Sequence, residues 1–67
     1  MIAFKLFAAA DHHGDIANKH LGDLVLIAPA GDELSAASDW CQLHDPSPGF
    51  ATLLNATLAE LERRRAH

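Results

Sequence analysis

The densest group of chemically capable side chains is Asp11-His12-His13-Gly14-Asp15, with His20 a short step beyond. Cys41 and His44 stand at i and i+3, on one face of a helix if that segment is helical. Imidazole and thiolate are ligands that zinc prefers. Cys41, His44, His20 and either His12 or His13 would together make a Cys-His₃ tetrahedron. Such an ion would also staple a chain too short for a large core. Recognisable zinc sites, however, pair cysteines at Cys-x₂-Cys spacing, and this chain has 1 cysteine. The plainer reading is structural: His12 and His13 border a solvent turn at Gly14, and Cys41 is a small buried residue. His44 then ends a helix, where its charge is tolerated. On that reading no metal and no cofactor is expected.

Asp11-His12-His13 resembles the name-giving triplet of a phosphoesterase family, over those residues alone. Membership would imply further aspartates, in separate motifs of a much larger chain, holding two metals. The 67 residues here leave no room for them. Nucleophilic chemistry finds no support either. Ser35, Ser38 and Ser47 lack a Gly-x-Ser-x-Gly elbow. Cys41 with His44 lacks an identifiable orienting group and oxyanion hole. The scattered glycines form no phosphate-binding loop. The expectation is that the protein is not an enzyme.

The segment from Asp15 to Gly22 resembles the first helix and turn of a helix-turn-helix, which would imply a recognition helix next. Instead Leu24-Val25-Leu26-Ile27-Ala28 and Pro29 follow, with no Arg, Gln or Asn to read base edges. Charge agrees: the formal net charge is -4, with 5 Lys+Arg against 9 Asp+Glu. The negative charge belongs to residues 1–46, where only Lys5 and Lys19 offset Asp11, Asp15, Asp23, Asp32, Glu33, Asp39 and Asp45. The only basic cluster is Arg63-Arg64-Arg65. A DNA-binding regulator, which needs a basic face, is therefore the weakest reading.

Hydrophobic residues make up 49% and charged ones 21%, enough apolar surface for a globular fold and no disordered tail. Residues 1–67 are expected to form a single small domain. No apolar run approaches the roughly 18 residues of a membrane span. Lys5 interrupts the first apolar stretch, so it does not read as a signal peptide. Asn55-Ala56-Thr57 matches a glycosylation sequon inside an expected helix, a chance match without secretion. The lone thiol suits a reducing, cytoplasmic setting.

The C-terminal element is the clearest. Phe50, Leu53, Leu54, Thr57, Leu58 and Leu61 make one helical stripe, and Ser47-Pro48 supplies an N-cap and a first-turn proline. Glu60 can reach Arg64, and the arginines suit the negative end of the helix dipole. The pattern predicts a helix from Pro48 to Arg65. A second helix starts at Gly31-Asp32 and ends at Asp45-Pro46. A short connection would pack these two as a helical hairpin. In residues 1–30, Ile2, Phe4, Leu6 and Ala8 alternate like a strand, and Leu24 to Ala28 resembles a buried strand. Asp15 to Leu21, closed by Gly22, would be a short helix between them. The fold expected is α+β, ordered β-α-β-α-α. Its competitor is an all-α bundle, in which Ile16, Ala17, His20, Leu21, Leu24, Ile27 and Ala28 share a face.

The function expected is a non-enzymatic protein–protein interaction module. Its acidic part would suit a basic partner surface, as in a small inhibitor or regulator occupying the basic site of a nucleic-acid-handling protein. The candidate partner-binding residues are Trp40, Asp32, Asp39, Leu54, Leu58 and Leu61. Trp40 either fills the core of a monomer or anchors an interface. The leucine stripe either faces the core or seams a homodimer, which a core this small favours. Direct nucleic-acid and membrane binding are not expected. A zinc-stapled domain is the alternative.

Overall fold

A computed structural model describes residues 2–14 and 18–65. They form four helices, α1 (Ile2–Asp11), α2 (Lys19–Ile27), α3 (Gly31–His44) and α4 (Pro48–Arg65). Among the described residues there is no strand. The α+β expectation is thereby corrected to an all-helical fold.

The two expected strands are α1 and the end of α2. In α1 the buried residues are Leu6, Ala9 and Ala10, a helical spacing, while Phe4 is 66% exposed. A strand with Ile2, Phe4, Leu6 and Ala8 on one face would have buried Phe4 instead. Around Leu24 the apolar run does not lie wholly inside. Leu24 is buried, and Leu26, two residues on, is 85% exposed. Gly22 does not close a helix; α2 runs through it and stops at Ala28, whose φ of 50° is left-handed and whose N–H donates to the Leu24 carbonyl at 3.0 Å. Of the face expected for an all-α bundle, Leu21 and Leu24 point inward; Ile16 and Ala17 lie outside the described residues.

The later helices follow their end signals. Helix α3 begins after Ala30, whose N–H donates to Glu33 Oε1 at 3.1 Å, half of a capping box. Before Pro46 the chain leaves helical geometry at Asp45. Ser47 Oγ accepts the Phe50 N–H at 3.3 Å, capping α4. The expected hairpin of α3 on α4 is not the organising unit, because α1 packs against all three other helices while α3 and α4 meet only sparsely. The core gathers Leu6, Leu21, Leu24, Cys41, Phe50, Leu54 and Leu61 around α1. Thr57 enters it with a satisfied hydroxyl, which donates to the Leu53 carbonyl at 2.7 Å.

One ion pair joins α1 to α2: Lys5 Nζ lies 2.7 Å from Asp23 Oδ2. The hydrogen bond from Lys5, ahead of the charges of Lys5 and Lys19, holds the Asp23 carboxyl below its ordinary 3.8. A depressed carboxylate stabilises the fold above its unfolded value, and that stabilisation is lost as pH falls through the lower folded value. Asp23→Asn is therefore expected to lower Tm modestly at neutral pH. The difference from wild type should shrink as pH falls through that lowered value and vanish once both carry an uncharged side chain. Thermal melts by circular dichroism across pH 2–7 check this; a pH-independent difference would mean that the pair contributes nothing.

Candidate partner-binding face

Helix α3 owes its outer face to composition. With only Ala37 and Cys41 fully buried, most of the helix is left facing solvent. Asp32, Ala36, Asp39 and Leu43 fall at i, i+4, i+7 and i+11, one exposed stripe, and Leu43 is 84% exposed. Asp32 and Asp39 are thus both exposed on that stripe. On the side of α3 nearer α1, a shallow open groove is lined by Ile2, Ala3, Glu33, Ala36, Ala37 and Trp40. Its floor is pinned by the Cys41 thiol, which donates to the Ala3 carbonyl at 3.6 Å.

Trp40 is half-buried and central to an aromatic cluster. Its ring stacks on His44 at 4.8 Å and meets Phe4 edge-on at 5.3 Å. Phe7 closes the inner side, edge-on to Trp40 at 6.3 Å and stacked on Phe50 at 4.8 Å. Such pairs stabilise by about 0.5–1.5 kcal/mol beyond area burial. Trp40 therefore packs on the core along its inner edge and lines the groove with its outer part.

The leucines divide differently. Leu54 and Leu61 are 0% and 1% exposed, in the chain's own core, and Leu58 is half-buried against it. Leu54 and Leu61 are thus not at the surface in the single chain, and Leu58 is only partly so. Sequence reasoning did not single out Phe4, Glu33, Ala36 and Leu43, which border this face. Glu33 carried a partial signal, as an acid at the start of α3. Phe4 and Ala36 carried none, since their place beside the groove comes from α1 and α3 meeting across the fold.

Among the described residues the histidines do not gather with Cys41 into one ligand group. His12 stacks on His20 at 5.6 Å, and His13 Nδ1 lies 3.4 Å from Thr57 Oγ1. His44 is exposed beside Trp40 and Phe7. Among the described residues no three His, Cys, Asp or Glu gather in a group able to hold a metal ion. Gly14, with φ 98°, makes the turn after the histidine pair, a conformation glycine adopts at no steric cost. Burial pushes the Cys41 thiol up, so it is held neutral, opposite to what a nucleophile paired with His44 requires. No helix among the described residues is long and apolar enough to cross a membrane.

The chain matches no protein family, and no curated protein or solved structure shows significant similarity to it.

Proposed function

We propose that the protein is a non-enzymatic interaction module that docks the outer face of α3 on a basic surface of another protein. The observation that carries this is the exposed stripe of Asp32, Ala36, Asp39 and Leu43, beside Glu33 and the rim of Trp40. It combines negative charge with apolar side chains that have no use in the chain's own core. Opposite potentials steer and orient encounter, while the apolar members supply contact area. A small inhibitor or regulator that occupies the basic site of a nucleic-acid-handling protein fits this chemistry. A reducing, cytoplasmic setting suits the unpaired Cys41, and self-association as a homodimer suits so small a core.

The immobilised protein is expected to capture a partner that elutes as salt rises from about 0.05 to 0.3 M, where the screening length falls to several ångströms. Asp32→Lys with Asp39→Lys should abolish that capture with only a small fall in Tm, because both positions are exposed but Asp32 stands in the first turn of α3. Salt-indifferent capture, or capture that survives the double reversal, would overturn the electrostatic reading.

A further inference from the structure

Resting on the interaction-module reading, we propose that the α1–α3 groove seats the apolar side of an amphipathic basic helix from a partner protein. The lining is built for close approach. Ala3, Ala36 and Ala37 present only methyl groups, so a helix laid along them can come near the backbone. Trp40 stands in the lining, with Phe4, 66% exposed, edge-on to it at 5.3 Å. Large rigid aromatics beside a small-residue floor are what an incoming leucine or aromatic side chain packs against.

Charge sets the other half of the occupant. Glu33 is in the lining, and Asp32 and Asp39 flank it on the exposed side of α3. The described cation of α1, Lys5, is neutralised by Asp23 on α2. Lysines or arginines along the occupant would therefore meet acids on the α3 side, with Lys5 already paired.

The occupant is a helix and not an added β-strand, because a strand needs backbone partners. Among the described residues there is no strand whose edge could pair with it. A helix satisfies its own amides and brings only side chains to an apolar floor. A second copy of the chain is a poor occupant. Its basic cluster ends α4, whose leucines Leu54 and Leu61 are in its own core, and Arg63 and Arg64 both bind Glu60.

The test uses a synthetic helix of about 15 residues, long enough to be helical, with leucines at i, i+3, i+4 and i+7 and lysines elsewhere. Its control has the same composition with the helical spacing scrambled. Trp40 is the only tryptophan, so its emission and acrylamide quenching report on the groove itself in the unaltered protein. The patterned peptide is expected to bind saturably, shift the emission to the blue and protect Trp40 from quencher. Ala36→Arg, at an exposed position, should weaken binding at least about tenfold, or 1.4 kcal/mol. Equal binding of the scrambled peptide, or binding with no change in Trp40 quenching, would overturn the groove. If Asp32→Lys with Asp39→Lys still abolished binding in those cases, the acidic face would stand without the groove. Binding of neither peptide would overturn the groove proposal, while the salt dependence of partner capture would judge the wider reading separately.

Discussion

Leu54→Ala is expected to lower Tm by at least about 10 °C, and to leave a measurable unfolded fraction at 37 °C. Leu54 is fully buried among the leucines of the core. Truncating a buried leucine costs about 2–5 kcal/mol, from the lost transfer energy and the cavity left behind. A chain of 67 residues has roughly 3–10 kcal/mol of total stability, at about 0.05–0.15 kcal/mol per residue. The substitution thus removes a large share of the whole. Leu53→Ala, one position away on the helix, should cost under about 1 kcal/mol, because Leu53 is already 37% exposed. Urea denaturation of the two variants separates a core leucine from a surface one. A Leu54→Ala protein that melts like wild type would mean that Leu54 is not packed inside the free chain.

The contrast between those leucines also shows what the sequence could and could not convey. Helices α3 and α4 carry their own punctuation, in Asp45-Pro46 and Ser47-Pro48, so their limits could be read locally. The periodicity of α4 likewise indicated which face is apolar. What that face touches is a tertiary fact, and here it is the core. Helix α1 is surrounded by the other three, so nearly every turn of it is used and its apolar residues form no narrow stripe. Ile2-Phe4-Leu6-Ala8 therefore fits a strand's alternation as well as a wide helical face. The run from Leu24 to Ile27 misled for the opposite reason: it resembles a buried segment, yet Leu26 and Ile27 are 85% and 50% exposed. The nearness of Asp32, Asp39 and Trp40 could be read locally because they lie within one helix. The groove was not, because Ala3 and Ala36 become neighbours only after folding.

Asn18→Asp is expected to destabilise the protein at neutral pH as much as Asn18→Ala does, by about 2–4 kcal/mol, although aspartate is as good an N-cap as asparagine. Asn18 is only 9% exposed and serves two helices. Its Oδ1 accepts the Leu21 N–H at 3.2 Å, capping α2. Its Nδ2 donates to the Ala9 carbonyl at 3.0 Å and lies 3.4 Å from that of His12. The Ala9 carbonyl needs this donor, because the His13 N–H has turned to Ala10, at 3.1 Å, as α1 ends. Alanine would lose the cap, about 1 kcal/mol, and strand a buried carbonyl, about 1–3 kcal/mol more. Aspartate would keep the cap but set a second acceptor against the Ala9 oxygen, two lone pairs facing each other. Protonation restores an O–H donor at that place, so the aspartate variant should recover relative to alanine as pH falls toward 4. Urea midpoints of both variants at pH 7 and pH 4 measure the difference. If Asn18→Asp matched wild type at pH 7, Asn18 would be a cap for α2 alone, and the join between the first two helices would rest on Lys5–Asp23 and apolar packing.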